Sequence, residues 1–267
     1  MLFVLHIANC FKTVYNTTSY SYKEVYFMQI QKILSYMRKA IDDYSMIQDG
    51  DKIAVGLSGG KDSITMLMGL KELQRFYPHS FSMVAVSVNP GFPYFDSAFL
   101  QSTCDAIGVE YLEKESHIKE IVFDIRKEKN PCSLCANLRR GILNSTAIEL
   151  GCNKIALGHN EDDVLETFLL NLLYTGSIST FAPVSYMDRS QITLIRPLIY
   201  APEKEIQKCI RKNNLSVMAK TCPMDGVSKR EEMKELLKSL RFNIPTIRAN
   251  LYGAIKRSDI KGWKIEK

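Results

Sequence analysis

Two short stretches carry the residue types best suited to chemistry on phosphate. Ser58-Gly59-Gly60-Lys61-Asp62-Ser63 stands between a short apolar run, Lys52–Leu57, and an apolar helical pattern that reaches Phe76. Two glycines let a backbone turn tightly and come close to an anion. A helix start beyond them offers unpaired N–H groups and a partial positive charge to phosphate. Lys61 adds a mobile cation, and Ser58 and Ser63 add hydroxyl donors. The spacing is not that of the common G-x-x-x-x-G-K-[ST] phosphate loop. Gly56 lies one residue too close, and Asp62 follows the lysine where an acid would repel phosphate unless Mg²⁺ intervened.

Gly158-His159-Asn160-Glu161-Asp162-Asp163 repeats the context: it follows a second short apolar run and opens another helical pattern. Acids at a helix start are favoured by the helix dipole alone. After a strand and beside a phosphate loop they are also plausible Mg²⁺ ligands, so Asp62, Asp162 and Asp163 form the expected magnesium set. His159 suits a hydrogen bond to phosphate or a cap.

The third signal is Cys132-Ser133-Leu134-Cys135, a C-x-x-C at the mouth of a helix, with Cys222 in Thr221-Cys222-Pro223 far downstream. The helix start and the nearby Arg139 and Arg140 favour thiolates there. Spacing alone leaves a redox pair, half a zinc site and an iron–sulfur cluster open. A closed zinc site wants four ligands, and no close histidine or second C-x-x-C accompanies Cys222. Cys10, Cys104, Cys152 and Cys209 lie in apolar or helical contexts and read as ordinary buried residues.

The elements that must position these groups alternate. Apolar runs at 52–57, 81–88, 109–112, 154–157 and 191–195 read as strands. Helical patterns fall between them, over about 96–107, 133–150, from about Asn160 onward and over 202–213. A preceding helix presents Ile30, Ile33, Leu34, Met37 and Ile41 on one face, and the helix after Asn160 presents Leu165, Phe168, Leu169, Leu172 and Leu173. Strands alternating with helices of this length indicate an α/β fold, a doubly wound parallel sheet with helices on both faces. Ligands bind at the carboxyl ends of strands in such sheets, where both phosphate-type motifs stand. Three regions are expected: a Tyr-, Ser- and Thr-rich extension over 1–27, poorly ordered, with Met28 a candidate native start; the sheet domain over 28–226; and a basic helical segment over 227–267, where Met233, Leu236, Leu237 and Leu240 share one apolar face.

SGGKDS resembles the signature of the pyrophosphate-loop ATPases, which split ATP into AMP and pyrophosphate. GHNEDD is similar to the second signature of that superfamily. With Leu138-Arg139-Arg140-Gly141-Ile142-Leu143 after the C-x-x-C and Ile195-Arg196-Pro197-Leu198 further on, residues 28–226 closely resemble the tRNA 2-thiocytidine synthetase family. The resemblance implies an adenine nucleotide alpha-hydrolase fold. It also implies a [4Fe–4S] cluster on Cys132, Cys135 and Cys222, the last of which stands alone where some members repeat C-x-x-C. ATP is then expected on Ser58, Gly59, Gly60, Lys61, Asp62, Ser63, Gly158, His159 and Asn160, with Lys61, Asp62, Arg139 and Asp163 as catalytic candidates. The implied reaction adenylates the C2 oxygen of an anticodon-loop cytidine and replaces it with sulfur. Partners would be tRNA, a sulfur donor (a cysteine desulfurase or free sulfide) and a second copy of the chain. Related readings on the same loop are a 2-thiouridine synthetase, a tRNA-Ile lysidine synthetase, and a non-catalytic ATP-binding, redox-sensing module.

Composition agrees with a soluble enzyme. The 267 residues are 46% apolar and 24% charged, enough for a full core. No stretch approaches the ~18 apolar residues of a spanning helix, and no signal sequence marks the start, so a reducing cytoplasm is expected. The net charge of +6 lies entirely in residues 227–267. That asymmetry suggests a polyanion partner, with Arg230, Lys234, Lys238 and Arg241 as the expected RNA contacts.

Overall fold

A computed structural model describes residues 22–128, 131–218 and 229–265, with side chains from Ile30 onward. In chain order the elements are α1 (Tyr22–Asp43), β1 (Asp51–Gly56), α2 (Lys61–Leu73), β2 (Phe81–Asn89), α3 (Ser97–Ile107), β3 (Tyr111–Glu115), α4 (Pro131–Glu149), β4 (Lys154–Ala156), α5 (Glu161–Thr175), β5 (Val184–Met187), β6 (Ile192–Ile195), α6 (Glu203–Lys212), α7 (Lys229–Asn243) and α8 (Ile247–Arg257). Helix α1 therefore begins inside the stretch expected to be an extension. The earlier part of that stretch lies outside the described residues.

The strands form one sheet in the order β3-β2-β1-β4-β6-β5. All pairings are parallel except β5 with β6. That antiparallel edge strand was not legible, because Val184–Met187 is short and shows no apolar alternation of its own. The sheet grows outward in one direction from β1 to β3 and in the other from β4, so the strand order reverses between β1 and β4. The loops leaving these two neighbours thus open a crevice at the switch point, where doubly wound sheets bind ligands.

Alternation along the strands feeds two cores. Ile53 and Val55 of β1 pack with α1, α2, α5 and α6, while Ala54, with Val84 and Val86 of β2, packs against α4. The predicted apolar face of α1 is fully used: Ile30, Ile33, Leu34, Met37 and Ile41 are all buried. The predicted face of α5 is only partly used. Leu165 and Leu169 are buried, but the last turn stands clear of the core and leaves Leu172 and Leu173 exposed. The C-terminal helices join the larger core through Met233, Leu237, Ile255 and the fully buried Trp263. The Trp263 indole donates to Phe181 O at 3.1 Å, and its ring meets Tyr44 and Tyr252 edge-on.

Candidate active site

The chain leaves β1 through Leu57 into the glycine loop. Gly59 adopts φ +75°, a left-handed conformation that side chains resist. The loop is held from within: the Ser63 hydroxyl donates to Gly60 O at 3.0 Å and accepts from Ser58 N at 3.2 Å. The second loop, after β4, rests directly on it. A Cβ on Gly158 would meet Ser63 N at 3.1 Å and Asp62 C at 3.2 Å, so only glycine permits this approach. Asn160 then caps α5, accepting from Asp162 N and Asp163 N, while Asp163 returns a bond to Asn160 N. The Asn160 amide also donates to Asp62 Oδ1 at 3.0 Å, tying the two loops together.

Between the loops lies a cavity of about 520 Å³, a size suited to a nucleotide. Ser58, Gly60, Asp62, Ser63, Gly158, His159 and Arg139 line it among the expected residues. Gly59, Lys61 and Asn160 support it from behind. The sequence reading missed its apolar wall, made by Val86, Val88, Pro90, Phe95, Leu143, Leu157 and Met218. Val86, Val88 and Leu143 are ordinary strand and helix residues and the other four stand in loops, and only the sheet order assembles them into a surface for a base.

Several roles are corrected by the geometry. The Lys61 ammonium is turned to Asp62 Oδ2 at 2.8 Å and Glu203 Oε1 at 3.0 Å rather than into the cavity. Burial opposes its charge, but the two carboxylates outweigh that and hold its pKa above the ordinary lysine value. Glu203, which no sequence signal marked, also holds Lys234 at 3.1 Å and donates its backbone N–H to Asp162 at 2.7 Å. Asp162 faces away from the loop, paired with Arg248 at 2.7 Å. Its carboxylate serves Arg248 and the start of α6. Among the described residues no three His, Cys, Asp or Glu side chains are grouped to hold a metal ion. Burial, reinforced by Arg196, lowers the His159 pKa to about 3, so His159 is a neutral ring stacked near Phe181 and not a phosphate cation.

Cys132 and Cys135 open α4, the first exposed and the second half-buried. Arg139 Nη2 lies 3.6 Å from Cys135 Sγ and the same side chain lines the nucleotide cavity. One arginine thus borders both a thiol and the cavity beside the phosphate loop. By contrast Cys104, Cys152 and Cys209 are buried, and burial raises their thiol pKa values, that of Cys104 to about 11. Accessible thiols beside an arginine suit an iron–sulfur centre, whereas buried, protonated thiols do not. Cys222 lies outside the described residues, as does Cys10. Met218, four positions before Cys222 in the sequence, donates its N–H to Gly59 O at 2.9 Å.

A PP-loop domain model of the ATP_bind_3 type matches residues 29–237. A tRNA-cytidine(32) 2-sulfurtransferase of Pelobacter propionicus is 42% identical over 81% of this chain and 82% of its own. That of Geobacter sulfurreducens is 39% identical over 85% and 90%. The chain belongs to this PP-loop family of tRNA-cytidine 2-sulfurtransferases. The U34-tRNA thiolase NcsA of Methanococcus maripaludis, solved with its [4Fe-4S] cluster, superposes with a TM-score of 0.69 at 28% identity, over 85% of this chain and 77% of its own.

The PP-loop sulfurtransferase fold also revises the expected RNA stripe. Arg230 points inward, to Asp163 at 3.4 Å, Thr167 at 3.1 Å and Glu166 at 4.0 Å, and Lys234 is taken by Glu203. Lys238 pairs with Glu235 on its own helix at 3.4 Å. Arg241 is exposed and lines a second cavity. Two of the four, Arg230 and Lys234, neutralise acids of the site.

Glu166 carries a pH consequence. Burial, then the neighbouring Asp163, raises its pKa from 4.5 to about 7. Between those values the folded chain holds a proton that the unfolded chain has released, so stability falls as pH rises from 4.5 to 7 and the loss is complete above it. At about 1.4 kcal/mol per pKa unit the loss is of order 3–4 kcal/mol. Glu166→Gln is expected to match wild type at pH 5 and to exceed it by at least about 1 kcal/mol at pH 8 in urea unfolding. Parallel pH profiles for the two proteins would refute this.

Proposed function

We propose that this chain uses ATP to activate the C2 oxygen of a tRNA cytidine, position 32 as in its named relatives, and exchanges it for sulfur. The observation that carries the reading is Arg139, which touches Cys135 and lines the phosphate-loop cavity at once. The C2 oxygen attacks the α-phosphorus and pyrophosphate leaves. Sulfur then attacks C2 and AMP leaves.

The loop's own groups do the phosphate work. The amide of Gly60 and the hydroxyl of Ser58 would donate to phosphate oxygens, with Ser63 holding the loop in shape, and Asp62 is the cavity carboxylate that would meet Mg²⁺ carried in on the nucleotide. Arg139 neutralises charge developing between the α-phosphate and the thiols. The apolar wall excludes water from an adenylated base that hydrolysis would waste. Cys132, Cys135 and Cys222 would hold a [4Fe–4S] cluster, which supplies an open iron position for sulfide. The sulfur comes from a cysteine desulfurase or as free sulfide. Nucleoside mass spectrometry of tRNA from a strain lacking this protein tests the reading: 2-thiocytidine should disappear. Loss of a thiouridine instead would retain the mechanism and reassign the base, and an unchanged nucleoside profile would refute it.

A further inference from the structure

Helix α6 separates its charges in a way that α7 does not. Its two acids are engaged: Glu203 holds Lys61 and Lys234, and Glu205 pairs with Lys32 of α1 at 3.0 Å. Its four cations, Lys204, Lys208, Arg211 and Lys212, are all exposed, and none forms a side-chain hydrogen bond or ion pair among the described residues. Their spacing of i, i+4, i+7 and i+8 places them on one face. Ile206 and Cys209 on the opposite side are buried in the core, so the cationic face is fixed toward solvent.

The stripe leads somewhere. Lys204 lines a second cavity of about 480 Å³ together with Arg241 of α7 and Arg248 of α8. Arg248 is already shared with Asp162 and Glu161, at 2.7 and 3.5 Å. Glu161 and Asp162 line the same cavity, so Lys204 and Arg241 leave it with a small net positive charge. Next to Arg241, Phe242 is 89% exposed, a bare aromatic ring at the turn between α7 and α8. A row of unpaired cations ending beside an exposed ring matches what single-stranded nucleic acid requires: phosphate contacts along a track and a face on which a base can stack. The track also begins one residue from Glu203, the carboxylate that holds the loop lysine.

We infer that the outer face of α6, continued by Arg241 and Phe242 at the end of α7, is the surface on which the tRNA backbone docks, in place of Arg230 and Lys234, whose charges are paired with acids. This rests on the tRNA reading above, and it assigns to that reading a surface no motif marked. The test compares the full chain with a K204Q/K208Q/R211Q/K212Q variant, titrating tRNA by fluorescence anisotropy between about 50 and 200 mM salt. At roughly 0.7–0.9 in log–log salt slope per phosphate contact, the variant should lose about three from the slope, and its affinity near 150 mM salt should fall at least about tenfold. ATP affinity should be unchanged, which separates lost docking from a damaged site. A second measurement needs no variant: bound tRNA should protect Lys204, Lys208 and Lys212 of the wild-type chain from acetylation and leave Lys264 reactive. If wild type binds tRNA with a steep slope that the variant keeps, or if the three lysines stay reactive in the complex, the inference is overturned and the stripe serves another anion, such as an acidic protein. If the wild-type chain binds no tRNA, the thiolation reading itself fails.

Discussion

Cys135→Ser should leave ATP binding within about twofold of wild type while 2-thiocytidine formation falls by more than about a hundredfold. Partners that merely support a metal ligand already change affinity or activity by about 10–100-fold when removed. Here a ligand itself is lost, and serine offers iron a poor substitute for thiolate. Cys135 does not line the nucleotide cavity, so the two halves of the reaction should come apart. Iron content and visible absorbance of anaerobically purified protein read one half. A nucleotide-binding titration reads the other. Cys209→Ser is the matched control: Cys209 is buried against Asn213, with its thiol pKa raised by burial, and its loss should leave the iron content unchanged. Full iron content and full thiolation in Cys135→Ser would remove the cluster from the account.

The contrast between these cysteines shows what a sequence can and cannot say. The C-x-x-C was visible by spacing, and its place at a helix start was visible from the pattern around it. The reach of Arg139 from the thiol to the cavity was not, because a helical residue's direction depends on which face of α4 packs on Ala54, Val84 and Ile155. The strands and helices were legible because period-2 and period-3.6 patterns were clean. Their order in the sheet gave the apolar wall of the cavity, and that order is a tertiary property. Charge was the least legible. The last 41 residues carry the whole net charge, which pointed at α7. Pairing decides which charges face outward, and pairing is not written in the count. Arg230 and Lys234 are spent on Asp163, Glu166 and Glu203, while α6, with the same net charge as α7, presents four cations that form no ion pair among the described residues.

Two glycine substitutions should have different reach. In Gly158→Ala the new methyl would sit 3.1–3.3 Å from the backbone of Asp62 and Ser63, and neither can withdraw as a flexible side chain would. The second loop must back away from the first, opening the Asn160–Asp62 link and misplacing the phosphate donors. ATP affinity should fall at least about tenfold, or roughly 1.4 kcal/mol, while iron content stays at the wild-type level. Gly59→Ala meets two obstacles: a left-handed backbone that costs an alanine about 1–2 kcal/mol, and a Cβ only 2.7 Å from Met218 Cβ. Met218 is the residue whose amide is bonded to the loop, and Cys222 follows it by four positions. Relief of the collision therefore moves the glycine loop and Met218 together. This variant should lose ATP affinity and iron content in parallel, with isothermal titration reading the first and iron analysis the second. Wild-type ATP affinity in Gly158→Ala would refute the contact between the loops, and a full iron complement in Gly59→Ala would refute the coupling of the phosphate loop to the sulfur-carrying half of the site.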